Sequence, residues 1–192
     1  RLESSVQRVN ALAGDVARLN REITTIEAGG GDTVGDLRDA RDRAIDEMAT
    51  LIPVQVLERN SGSVGVLTSG ISLVDGAGYG SLEVRVTGGE VGLALVGHPS
   101  TISDLGGSIG GMVSLVNVDL PDARTSLDEL AEALVTDINA IHQTGTNPNG
   151  TTGVDFFDPS GTDAFTIDLS DLVAADVRNI SAGTGGAGEY LA

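Results

Sequence analysis

His98 and His142 are the only histidines in this chain, and it has no cysteine, so few side chains are available for nucleophilic, redox or metal chemistry. The missing cysteines exclude disulfides, thiolate catalysis and Cys-ligated zinc or iron–sulfur centres. His98 precedes Pro99 after a strand-like run and reads as a loop residue. His142 falls near the end of a helical pattern, where an imidazole also suits the helix dipole. Neither has another ligand at the i, i+4 spacing of a zinc site. No serine has a base placed to activate it. Gly76-x-Gly78-x-Gly80 has part of a phosphate-loop rhythm but lacks the final spacing and the following helix, so a turn within a sheet is expected. The run from Asn147, Pro148, Asn149 and Gly150 to Asp155 and Asp158 is rich in the oxygens that hard cations take. Thr152 stands where a calcium loop requires glycine, and a turn-rich linker is the better reading. The expectation is a protein without catalytic residues, cofactor or metal.

The charge balance narrows the partners. The chain of 192 residues carries 28 acidic side chains against 11 basic ones, all arginine, for a net charge of −17. Such a surface repels phosphate backbones and anionic lipid, which argues against a nucleic-acid partner. No apolar run approaches the ~20 residues that span a bilayer, so membrane insertion is not expected. No apolar signal-peptide core follows Arg1. A start inside a helical pattern, without Met, reads as a fragment whose true termini are missing.

The elements that would position any site follow from periodicity. With aromatics at 3%, the core must be aliphatic. Leu2, Val9, Val16 and Ile23 repeat every seven residues, and Ser5, Leu12, Leu19 and Ile26 form a second row. That is a seam for helix packing, within the chain or against another subunit. Gly29, Gly30 and Gly31 end this helix, and Asp32 or Thr33 can cap the next. In the second helix Leu37, Ala40, Ala44, Ile45, Met48, Leu51 and Ile52 share one face. Asp36, Arg38, Asp39, Arg41, Asp42, Arg43, Asp46 and Glu47 are assigned to the charged side, and Pro53 stops the helix.

From Val54 the period becomes two. Short strands alternate with turns at Asn60-Ser61-Gly62, Ser69-Gly70, Asp75-Gly76 and Gly88-Gly89, predicting one antiparallel sheet of about four or five strands. A helical pattern after Gly106-Gly107 runs through Met112 and Leu120 to Ile141, with a kink or break expected at Pro121. Phe165, Ile167 and Leu169 alternate like a strand. The fold class is α+β: an elongated antiparallel bundle of long helices with a small β insertion. Residues 1–53 form a helical hairpin, 54–105 the insertion, 106–145 the helix completing the bundle, and 146–192 a loop and β-rich segment bordering an outer domain.

Several stretches resemble, in order, the hook-associated protein 1 family of bacterial flagella. Residues 34–48 resemble its N-D-L-L-D-Q-R-D-x-L-L-D-x-L signature, with Leu37, Arg41, Asp42 and Asp46 in place and Gly35 and Arg38 departing from it. Residues 16–23, around Asn20, resemble I-x-x-L-N-x-x-I. Leu120-Pro121-Asp122-Ala123-Arg124 resembles L-P-x-A-R. Asn139, His142 and Gly145 fall in its V-N-x-x-H-x-x-G, and Phe156-Phe157 in its G-x-x-F-F. The resemblance implies a structural protein, exported without a cleaved signal and assembled outside the cell at the hook–filament junction. Its implied partners are the hook protein, the second junction protein, copies of itself and an export chaperone acting through the missing termini. His142, Phe156 and Phe157 would then be structural positions. Another axial flagellar protein, such as the second junction protein or a flagellin, or a helical ectodomain of an adhesin or sensor, remains as an alternative. The isolated chain is expected to be a monomer.

Overall fold

The computed structural model describes residues 1–30, 33–102 and 105–183. They form two compact units, residues 1–119 and residues from 120 onward.

The first unit opens with two long helices, α1 (Leu2–Ala28) and α2 (Gly35–Leu51). Val9, Leu12, Val16, Leu19 and Ile23 of the heptad rows are buried, while Leu2 and Ile26 are half-buried. Val6, Ala13, Ala17 and Asn20 are buried as well, so the covered face is wider than a two-row seam. The cause is that α1 packs on α2 and on the strands at once. Arg8, near the start of α1, makes two 2.6 Å bonds to Glu47, near the end of α2. Glu27 pairs with Arg38 at the opposite end, which fixes the two helices as antiparallel. The residue capping α2 is Val34, without a side-chain bond. Of the caps expected from sequence, Asp32 lies outside the described residues.

Among the described residues the strands number seven and divide into two sheets, where a single sheet of four or five was expected. β1 (Gln55–Glu58), β2 (Val64–Thr68), β3 (Ile71–Asp75) and the two-residue β4 (Gly78–Tyr79) form an antiparallel meander. β5 (Leu82–Thr87), β6 (Glu90–Leu95) and the short β7 (Thr101–Ile102) form the second sheet. Gly88 and Gly89 adopt φ of +64° and +92° and close β5 on β6 with Thr87 opposite Glu90. Such paired positive angles give the two-residue turn whose twist matches the strands. At the start of β5 both peptide groups of Leu82 bond the side chain of Asn10 on α1, so a helix takes the place that another strand would occupy. Met48, Ile52, Val66, Leu73, Val74, Leu93 and Ile109 are fully buried in one aliphatic core.

α3 (Gly107–Ser114) follows, with its first turn hard against the end of α2. Gly107 has φ +65°, and a Cβ there would lie 2.6 Å from the Leu51 carbonyl oxygen. A Cβ on Gly110 would lie 1.9 Å from the oxygen of Leu105. Leu115–Asp119 is a π-helical turn, and α4 (Leu120–Thr144) continues from it. The break expected at Pro121 is therefore a change of helical type ahead of the proline. In a regular α-helix the proline ring would meet the carbonyl of Asn117, four residues back. Asn117 sits inside the wider turn, the usual device for relieving such a clash.

In the second unit α4 is followed by turns, the short α5 (Asp171–Ala175) and a 3-10 turn at Val177–Asn179. Among the described residues beyond 145, β pairing is limited to two single bridges, Thr146 with Gly183 and Phe157 with Leu169. This corrects the strand expected through Phe165, Ile167 and Leu169; residues 184–192 of the segment expected to be β-rich lie outside the described residues. The Asp163 carboxylate accepts the amides of Phe165 and Thr166 at 2.9 and 3.0 Å, bending the chain into a turn. A local carboxylate bond outcompetes a strand that has no neighbour.

Candidate functional site

Polar side chains aimed at backbone are the recurrent feature of both units. Four asparagines, each within a helical segment, grip the peptide groups of one residue by two bonds. Asn10 holds Leu82 at 2.9 and 2.7 Å, and Asn20 holds Val64 at 2.8 and 3.0 Å. Asn117 holds Val91 at 2.9 and 2.7 Å, and Asn139 holds Phe157 at 3.0 and 2.9 Å. A carboxamide presents one donor and one acceptor side by side, matching the N–H and C=O of an unpaired strand residue.

The node at Asn20 is the most buried. Its Nδ2 also donates to the Gly76 carbonyl at 2.8 Å, and its Oδ1 accepts from Arg41 Nη1 at 3.3 Å. Arg41 is only 7% exposed and donates to the Gly62 carbonyl at 2.9 Å. Its Nε is buried without a hydrogen-bond acceptor, 3.6 Å from Asp42 Oδ1. The assignment of Arg41 to the charged face of α2 is thereby corrected. Arg41, Ile45, Met48 and Ile52 follow one another at four, three and four residues, so Arg41 continues the buried stripe.

A second node lies at the end of α4. Asn139 also accepts the Phe156 amide at 2.9 Å. One turn later His142 Nδ1 lies 2.7 Å from the Val154 carbonyl oxygen, and Nε2 accepts the Ser181 amide at 2.9 Å. The imidazole meets Phe156 edge-on at 5.4 Å, and Phe156 meets Phe157 at 4.9 Å. Every polar atom of the ring is thus spent on backbone.

The adjoining face of α4 is apolar and open. Ala131, Val135, Asn139 and His142 are buried, whereas Leu127, Leu130, Leu134, Ile138 and Ile141 are exposed, Ile141 by 69%. These five recur at the spacing of a helix-packing stripe.

No reactive centre emerges among the described residues. No three His, Asp or Glu side chains gather as metal ligands there. No described helix is long and apolar enough to cross a membrane. Gly106-Gly107-Ser108-Ile109-Gly110 spells the serine-nucleophile pattern Gly-x-Ser-x-Gly. Ser108 is exposed at the start of α3 and has no base bonded to it. His98 is an exposed loop residue whose carbonyl accepts from Arg85 at 2.8 Å. The carboxyls of Asp158, Asp163 and Asp176 are held below the usual range by bonds to the Ser160 amide, the Phe165 amide and the Arg178 side chain respectively.

Residues 1–157 match the family described as "Flagellar hook-associated protein FlgK helical domain". The chain belongs to the FlgK family. Curated relatives named flagellar hook-associated protein 1, from Escherichia coli K12 and Salmonella typhimurium, are each 28% identical over 166 residues. Those alignments cover 80% of this chain and 30% of the relative. A Bacillus subtilis relative of the same name is 24% identical, covering 83% of this chain and 38% of that one. A solved structure, "the flagellar hook junction protein FlgK from Burkholderia pseudomallei", matches with a TM-score of 0.65 at 25% identity. It covers 82% of this chain and 30% of the other. The chain thus spans 30–38% of the length of these relatives. The mixed helical and antiparallel-sheet fold is that of a FlgK-like protein.

Among the positions carrying the FlgK resemblance, the structure joins Asn20 to Arg41, and Asn139 and His142 to Phe156 and Phe157. Of the remaining ones, Asp42 touches a node through its 3.6 Å approach to Arg41 Nε, and the others are not bonded to either. Leu37 is half-buried on α2, and Asp42 and Asp46 are exposed. Pro121 and Arg124 are exposed on α4, with the Arg124 guanidinium 5.7 Å over the Phe165 ring and 3.7 Å from Asp128. Val9, Leu12, Val16, Leu19 and Ile23, candidates for subunit contact, lie inside the first unit's own core. Asn10 and Asn117 were missed as clamp residues. Their signal is a lone polar side chain within an apolar stretch, as in Leu115-Val116-Asn117-Val118.

Proposed function

We propose that this chain is the helical part of a structural protein that links the flagellar hook to its filament and performs no catalysis. The family carries the reading, and the open stripe on α4 supports it. A helix with five large apolar side chains in solvent is built to be covered. The stripe would be the surface through which α4 joins a bundle of long helices in the assembled protein. The partners proposed are the hook protein, the second junction protein and further copies of the same protein. An export chaperone would act through parts of the longer protein that precede or follow this chain. Export without a cleaved signal and assembly outside the cell belong to the same reading. Nothing observed favours an adhesin or sensor ectodomain.

Electron microscopy of cells lacking the full-length gene tests it. Bare hooks, with filament subunits shed into the medium, are expected; normal filaments would overturn the proposal. Complementation with Leu130→Asp plus Leu134→Asp in the full-length gene tests the stripe. Full restoration of filaments would remove it from assembly.

A further inference from the structure

We propose that His142 is an acid-releasable latch holding Ser181–Gly183 against the end of α4. Its two ring nitrogens are engaged in opposite senses. Nδ1 faces the Val154 carbonyl oxygen and must carry the proton, while Nε2 is the acceptor for the Ser181 amide. This arrangement requires neutral imidazole in a single tautomer. A second proton can be added only at Nε2, where it would face the Ser181 N–H, donor against donor. The Val154 bond survives that change and the Ser181 bond does not.

The same segment is otherwise tied by Thr146 N–H to Gly183 O at 2.8 Å and Ala182 N–H to Thr146 O at 3.3 Å. The Ser181 hydroxyl, buried without a partner, is already unsatisfied before the proton arrives. Among the described residues no carboxylate is bonded to the ring to stabilise its charge. Segment 154–157 brings one ionisable side chain, Asp155, and its carboxylate accepts from Gln143. Segment 180–183 brings none, and the Asp176 and Arg178 that precede it pair with each other at 2.8 Å. On α4 the nearest ionisable neighbour is Asp137, exposed and five residues back. The carbonyl end of α4 favours a positive ring, so the helix assists protonation where the Ser181 amide opposes it.

The sign follows from the bonding. The latch is closed while the ring is neutral and opens once Nε2 takes a second proton, so it opens as pH falls. Ser181–Gly183 forms one wall of a pocket of about 440 Å³ whose other walls include Ile138, Ile141, Phe156 and Ile180. Release of that wall extends the open stripe of α4 at Ile138 and Ile141. Acid therefore uncovers apolar surface at this end of the helix.

Nitrogen-15 NMR of the whole 192-residue chain from pH 8 to pH 5 tests the latch, with His98 as an exposed reference. The amides of Thr146, Ser181, Ala182 and Gly183 are expected to shift along one titration curve with the His142 ring. Their exchange protection should fall by about tenfold, the loss of roughly one hydrogen bond. His142→Gln, whose Oε1 can accept from Ser181 without titrating, should abolish the step while keeping the segment docked. If that variant fails to fold, the wild-type titration decides. Amides that stay fixed while the His142 ring titrates would overturn the proposal. So would a ring that remains neutral to pH 5 with the segment in place.

Discussion

Asn20 and Arg41 meet at a single oxygen, Asn20 Oδ1, which accepts from Arg41 Nη1 at 3.3 Å and from the Val64 amide at 3.0 Å. Through that oxygen α1, α2 and the first residue of β2 are tied at one point. The other half of the same carboxamide reaches the carbonyls of Val64 and Gly76. Four polar groups in a largely buried setting depend on one side chain.

Asn20→Ala should therefore be among the costly substitutions in the first unit. It strands the Val64 amide and leaves Arg41 with one fewer acceptor. The expected loss is about 3 kcal/mol, since each buried unsatisfied group costs roughly 1–3 kcal/mol. Urea denaturation checks it: the midpoint should fall with an unchanged slope. An unshifted midpoint would show that water replaces the carboxamide at no cost.

Arg41 should separate charge from volume. Arg41→Ala leaves a space beside Gly62 and is expected to cost about 2–3 kcal/mol. Arg41→Met fills the space without a buried cation and should cost less, by about 1 kcal/mol or more. Equal midpoints for the two variants would contradict this account.

Gly110→Ala tests the approach of α3. The added methyl would overlap the Leu105 carbonyl oxygen, a backbone atom that cannot rotate away. A destabilisation of about 1–3 kcal/mol is expected, as for other overpacked sites. Gly111→Ala makes the control, because nothing lies within 4 Å of its added Cβ. Thermal melts of the two variants should separate clearly.

Strong acid should act on the second unit separately from any change near neutral pH. Asp158, Asp163 and Asp176 have folded values below their unfolded one because the bonds they accept favour the carboxylate. Their contribution is present above the unfolded value, ~3.9, and is lost as pH falls through the folded values. The amides of Ser160, Phe165 and Arg178 should keep their shifts at pH 5 and lose them only as pH falls below the unfolded value. Loss already at pH 5 would assign these turns to another cause.

The helical hairpin was legible because Val9, Leu12, Val16, Leu19 and Ile23 keep helical phase, and Arg8–Glu47 and Glu27–Arg38 close it. The β5–β6 hairpin was legible from Gly88-Gly89, where only a tight turn fits. Composition alone misleads at Arg41, whose charge suggests a solvated face while its phase belongs with Ile45 and Met48. The division into two sheets was not legible, since it depends on Asn10 bonding Leu82 from 72 residues away. The strand expected through Phe165 and Leu169 failed because period-two alternation says nothing of whether a neighbouring strand exists. Asp163, with its carboxylate two residues before Phe165, was the sign of a turn.

The asparagine clamps carry a consequence for how such a domain can diverge. Leu82, Val64, Val91 and Phe157 each offer the clamp a peptide group, which every residue except proline possesses in full. The clamp bonds themselves, unlike the core packing, are indifferent to what those side chains are. Sequence drift on the strands can therefore proceed without unfastening them, whereas drift at the four asparagines cannot. Leucine at position 82 could become isoleucine, threonine or tyrosine as the core permits, and the attachment to α1 would still be made.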